Sequence, residues 1–206
     1  MPDPQLGQPL HPSWPTAFAL TSLAASRRLA VPAGALLNTP HLTLAQFRAR
    51  LPGSLGADDL LDLRSATLRD RPAIGRTAAE LHAALPDCWD DRGLLLTRAV
   101  PAVHGGTARL RRDTNCDDTN CDEAVAFEVT PAGRASGDTG RVLALPHLGR
   151  WQRAHRGGDP WRTPLPPWGM RLARLLRQVR PLADGGTLEW ADDGHRCWLL
   201  LLHPAD

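Results

Sequence analysis

This chain has no lysine and no tyrosine, and it has one isoleucine, Ile74. Every permanent positive charge therefore sits on a guanidinium. Arginine codons are GC-rich and lysine codons are not, so the bias alone does not argue for phosphate recognition, although it supplies planar forks wherever arginines cluster. Four cysteines, Cys88, Cys116, Cys121 and Cys197, are too few to staple 206 residues. They fit a reducing compartment, and a cytoplasmic location is expected. The opening MPDPQLGQPLHPSWP places proline and aspartate where a secretory signal carries positive charge and an apolar run. The longest early apolar stretch, Ala17 to Ala25, is broken by Thr21 and Ser22. It falls far short of the roughly 20 residues a membrane span needs, so no membrane partner is expected. Catalytic signatures are missing too: there is no glycine-rich phosphate loop, no HExxH pair and no nucleophile elbow, since GRASG places Ser136 one position late. His104-Gly105-Gly106 has no paired nucleophile, and the eight histidines show no site-like spacing. Neither a catalytic set nor a cofactor is expected.

What remains is an ordinary globular composition, 42% hydrophobic and 22% charged, and an α+β pattern. The first half reads as helical. Pro15 opens a helix carrying Phe18, Leu20, Leu23 and Ala24 to about Arg28, and Thr43 with Gln46 has capping-box spacing before Leu44, Phe47 and Leu51. Leu60, Leu61, Leu63 and Leu68 suggest a third helix over Ala57 to Leu68, and Thr77 with Glu80 caps a fourth that carries Leu81 and Leu85. Strands follow at Gly93 to Val100, Thr107 to Arg112, Ala124 to Thr130 and Arg141 to Leu145. The second and third of these are joined by the repeated string DTNCDDTNCDE. An irregular stretch, His147 to Pro167, leads to a helix over Met170 to Leu182 and a hairpin, Thr187 to Trp190 with Arg196 to Leu202. Cys197 to Leu202 is apolar on both faces and reads as a central strand. The expected division is 1–140, helical and hairpin-bearing, and 141–206, a basic strand-helix-hairpin unit.

Helices followed by paired strands, with the phrases LTLAQFRARL (Leu42 to Leu51), RGLLLTR (Arg92 to Arg98) and VTPAGRA (Val129 to Ala135), resemble the winged helix-turn-helix of MarR-like and PadR-like regulators. The resemblance covers about residues 42–135. It implies a winged-helix hairpin, DNA as the partner, a homodimer, and a groove-facing helix from Thr77 with Arg76, Thr77 and His82 touching DNA. The pattern is departed from at Asp87, Asp90 and Asp91 and in the wing, where Asp113, Asp117, Asp118, Asp122 and Glu123 would repel phosphate. A winged helix can also serve as a protein-interaction module.

From Arg141 to Arg180 nine arginines face a single acid, Asp159, with Trp151, Trp161 and Trp168 among them. Arg150, Arg153, Arg156, Arg171, Arg174 and Arg177 would neutralise phosphate while Trp151 and Trp161 stack on bases. Along the helix, Arg171, Arg174, Arg177 and Arg180 step back about 60° each, which also describes a solvated face. With three phenylalanines and no tyrosine, the tryptophans equally serve as the aromatic core. The expected function is non-enzymatic nucleic-acid binding, with DNA as the partner, in transcriptional regulation or DNA maintenance. The alternatives are an interaction module for an acidic protein and a divalent-metal nuclease. Cys116, Cys121, His195 and Cys197 have ligand types that suit zinc but no second tight cysteine pair. Asp113, Asn115 and Asp117 alternate as calcium ligands do, but Asp118 replaces the glycine and Ala124 the closing glutamate. No bound metal is expected.

Overall fold

The structure is a computed structural model that describes residues 4–56, 58–66, 73–89, 91–112, 123–131, 140–145, 150–153, 163–164 and 167–205; for residue 73 and for 109–164 the description is of backbone only. The chain forms two compact units, Met1–Val100 and Pro101–Asp206, and each is organised on its own antiparallel sheet.

Unit 1 contains α1 (Thr16–Ser26), β1 (Gly34–Leu37), α2 (Leu44–Ala49), β2 (Leu61–Arg64), β3 (Ala73–Arg76), α3 (Ala78–Cys88) and β4 (Leu94–Arg98). The strands lie in the order β1-β4-β2-β3. Leu37 pairs with Leu94, Ala35 with Leu96 and Leu63 with Leu96. Because side chains alternate along a strand, one face of the sheet therefore presents Leu37, Leu61, Leu63, Leu94 and Leu96. Phe47 of α2 and Ala78, Leu81 and Leu85 of α3 complete that core. Each such leucine contributes on the order of 1.5–3 kcal/mol by leaving water. Gly93 enters β4 at φ +87, and a Cβ there would lie 2.7 Å from both the Leu37 carbonyl oxygen and the Trp14 ring, so only glycine fits.

Both expected capping boxes form. Thr43 accepts from the Gln46 amide and Gln46 returns a bond to the Thr43 amide; Thr77 and Glu80 do the same at the start of α3. The Thr77 amide, then the Thr77 hydroxyl, hold the Glu80 carboxyl below its usual range. Its folded-state value is thus depressed, and its contribution is complete above the unfolded value near ~4.3 and is lost as pH falls through the folded one. Thr77→Ala should cost about 1 kcal/mol. In urea titrations at pH 7 and pH 3, Glu80→Gln should show a smaller acid loss than the parent protein; an unchanged acid loss would remove Glu80 from that account.

The third expected helix is instead β2. LDLR has period two, with Leu61 and Leu63 on the core face and Asp62 and Arg64 on the other, and all four residues are buried. Together with β1 and β3 this replaces the helical N-terminal half by an α+β unit. Pairing to β4 on one side and β3 on the other overrides the helix preference of leucine.

Unit 2 contains β5 (His104–Arg112), β6 (Glu123–Pro131), β7 (Gly140–Leu145), β8 (Arg150–Arg153), β9 (Thr163–Pro164), α4 (Pro167–Val179), β10 (Thr187–Asp192) and β11 (Cys197–His203). The sheet order is β11-β10-β5-β6-β7-β8-β9. α4 lays Leu172, Ala173, Leu175, Leu176 and Val179 inward and packs on β5, β10 and β11. The strand expected to be central, β11, ends the sheet, although Leu199 to Leu202 are all buried. Coverage of both faces, not two strand neighbours, explains its apolar run. Among the described residues no helix is long and apolar enough to cross a membrane.

Candidate functional site

Two polar constellations lie on buried sheet faces, one in each unit. In unit 1, Asp62 pairs across strands with Thr97 and Arg64 with Leu95, which places Asp62, Arg64 and Thr97 together on the face opposite the α2–α3 core. Arg64 donates to Asp62 Oδ2 at 3.1 Å and to Thr97 Oγ1 at 3.5 Å, and the Gly75 amide donates to Asp62 Oδ1 at 2.9 Å. Arg64 is 5% exposed and Asp62 2%. An ion pair taken that far out of water is a poor way to add stability, because desolvation offsets most of its attraction. What it provides is a fixed guanidinium in a low-dielectric place, where charge interactions are strongest.

In unit 2, Arg171 of α4 grips Asp192 of β10 with two parallel bonds, Nε to Oδ2 and Nη2 to Oδ1, each 2.7 Å. Asp192 is fully buried and also accepts from the Gly194 amide. Hydrogen bonding to Asp192, against the opposing effect of burial, holds the Arg171 guanidinium above its ordinary pKa. At the tip of the β10–β11 hairpin, Asp193 accepts from the His195 and Arg196 amides and from the Trp198 indole at 2.7–2.8 Å. Burial pushes the Asp193 carboxyl up, but those three donors outweigh it and leave the carboxyl below its usual range. On the sheet face opposite α4, His203 Nε2 lies 3.2 Å from Glu189 Oε1.

The α4 face of the same sheet carries an aromatic tier. His104 pairs with Asp192 and Gly106 with Trp190, so His104, Trp190 and Asp192 rise from one face. Trp168 of α4 lies against both rings, 5.2 Å and 23° from His104 and 5.7 Å and 15° from Trp190. His104 Nδ1 and Trp190 Nε1 are buried and have no hydrogen-bond partner among the described residues. An unmet donor of this kind costs about 1–3 kcal/mol.

The residues expected to touch nucleic acid are not brought into one surface. Thr77 is the N-cap of α3 and Arg76 an exposed end of β3. His82 donates Nε2–H to the Leu42 carbonyl at 2.6 Å and meets Phe47 edge-on, so it ties α3 to the segment entering α2. The Arg171 fork is committed to Asp192, while Arg174 and Arg177 face outward. Arg150, Trp151 and Arg153 contribute backbone to β8; Arg156 and Trp161 lie outside the described residues. Of the zinc set, Cys116 and Cys121 also lie outside them, His195 is exposed, and burial pushes the Cys197 thiol up, keeping it protonated. Among the described residues no three His, Cys, Asp or Glu side chains are grouped to hold a metal ion. Sequence reasoning missed Asp62, Arg64, Thr97 and Asp192, and the alternation in LDLR was the one signal that marked the first two.

Two solved structures share this fold. N5-carboxyaminoimidazole synthase from Aspergillus clavatus, in complex with ADP and 5-aminoimidazole ribonucleotide, matches 91% of the chain with TM-score 0.53 and 12% identity. Carboxyaminoimidazole ribonucleotide synthase from the same organism, complexed with ATP, matches 93% with TM-score 0.54 and 13% identity. The chain spans 43–44% of their length. No family model and no curated protein matches the chain.

The winged-helix resemblance is thereby overturned, and with it the expectation of a DNA-binding transcriptional regulator. The physical reason lies in where the three phrases fall. LTLAQFRARL contributes the six-residue α2, RGLLLTR supplies an interior strand of a four-stranded sheet, and VTPAGRA begins at the end of β6 in the other unit. Strings that would adjoin in one small domain belong here to two sheets.

Proposed function

We propose that this chain is an adenine-nucleotide-binding protein, and that Arg64 provides its phosphate-facing cation. The observation that carries the reading is the likeness in fold, over more than nine-tenths of the chain, to two enzymes solved with ADP and with ATP. Chemistry within the chain supports it. A polar set lies on an otherwise leucine-rich sheet despite the desolvation cost, and a structural role alone does not call for it. A guanidinium braced by Asp62 and Thr97 offers the planar donor fork that suits phosphate oxygens.

Isothermal titration with ATP and ADP tests this directly. Saturable binding is expected, with a dissociation constant between about 1 μM and 1 mM, together with a rise in melting temperature that grows with nucleotide concentration. Absence of both heat and thermal shift at millimolar nucleotide would sink the reading.

A further inference from the structure

We propose that the aromatic tier of unit 2 is a binding seat for a small-molecule carboxylate, held by the ring N–H groups of Trp190 and His104 beneath the Trp168 indole. This seat is separate from the nucleotide reading and does not depend on it. Trp190 is 1% exposed, so its indole N–H has no access to bulk water. That group can only donate. His104 Nδ1 is the second buried ring nitrogen on the same sheet face without a partner among the described residues. Folded proteins satisfy nearly all such atoms, and those left over mark a bound water or a ligand.

The neighbourhood selects the ligand's charge. Asp192 rises from the same face, but both its oxygens are taken by Arg171, and Oδ1 accepts from Gly194 as well. Neither oxygen of that carboxylate is a hydrogen-bond partner of the two ring nitrogens. The Arg171–Asp192 pair cancels its own charge, so what is left over in the tier is donor capacity. Along β5 the position between His104 and Ala108 on this face is Gly106, which places no side chain between the two rings. A carboxylate suits this donor set, because its two oxygens can accept from two donors at once. Chemically neutral acceptors lose the charge assistance that makes such bonds short and strong.

The experiment is a ¹H–¹⁵N titration of the whole protein that follows the indole N–H resonances, with the Trp190 signal assigned in the parent protein through its own side-chain couplings. Acetate is the probe, with chloride at matched ionic strength as control and inorganic phosphate as the competing oxyanion. The Trp190 resonance is expected to move downfield saturably with acetate, with a dissociation constant of about 1 mM, while the other indoles stay still. His104→Phe keeps the stacked ring and removes the nitrogen, and should weaken acetate about tenfold or more. Trp190→Phe should abolish binding; if that variant fails to fold, His104→Phe and the parent titration still decide. A Trp190 signal indifferent to acetate means a buried water only and overturns the proposal. So does an equal response to chloride, tighter binding of phosphate than acetate, or full acetate affinity in His104→Phe.

Discussion

Arg171→Ala is expected to lower the stability of unit 2 by about 3 kcal/mol, whereas Arg174→Ala, three residues along the same helix, should change it by less than about 0.5 kcal/mol. The difference follows from what each removal leaves behind. Arg174 is exposed and its loss surrenders only a solvated charge. Removing Arg171 strands a carboxylate whose exposure is zero, with one backbone amide for a partner. A buried charge that loses its counter-ion costs far more than the intact pair contributes. The figure sits at the lower end of the 3–5 kcal/mol range because Arg171 keeps 24% of its own side chain in solvent. Urea unfolding followed by tryptophan fluorescence measures both variants, and equal midpoints would refute the distinction. Asp192→Asn should recover part of the loss in the Arg171→Ala background, because an amide has no charge to strand.

Arg64→Met should reduce affinity for ATP and ADP by about 10- to 100-fold, the worth of one hydrogen bond to a charged group. Arg64→Lys should fall between, keeping the charge but losing the planar fork. Stability needs its own control here, since Arg64→Met removes the counter-ion of the buried Asp62 and leaves it the Gly75 amide. The double change Asp62→Asn with Arg64→Met removes both charges together. If it restores the melting temperature but not nucleotide affinity, the two roles of Arg64 separate as proposed. Unchanged affinity in a folded Arg64→Met protein would remove Arg64 from the phosphate site.

Local signals in the sequence were legible where local chemistry decides the structure. Both capping boxes, the helix after Pro15, strands β4 to β7, α4 and the final hairpin can be read from spacing alone, within two or three residues. The β5–β6 pairing around the repeated DTNCD string is likewise foreseeable from two short runs flanking it. The other three strands of the sheet in unit 1 were not legible. GALL offers four residues that begin on a glycine just after Pro32, AIGR offers one β-branched residue, and in LDLR the leucines that favour helix hide a two-residue alternation. The sites suffered more, because their members come from distant segments. Asp62 meets Thr97 only through strand register, and Arg171 meets Asp192 only once α4 lies on β10. An arginine stripe on a helix looks the same from sequence whether its members face a phosphate, a carboxylate or water.

Strand order in unit 2 also sets an order of assembly. From β5 to β9 each strand joins the one before it, and then the chain returns to lay β10 and β11 along the opposite side of β5. One edge of β5 therefore waits, its amides and carbonyls unpaired, while everything from Glu123 to Val179 is synthesised. Each doubling of that intervening length adds only about 0.6 kcal/mol of closure entropy, yet non-local pairings of this kind are the slow ones. The seam between β5 and β10 joins the segments of that sheet most distant in sequence, and while it is open the half-built sheet presents a ready template to any other nascent strand nearby.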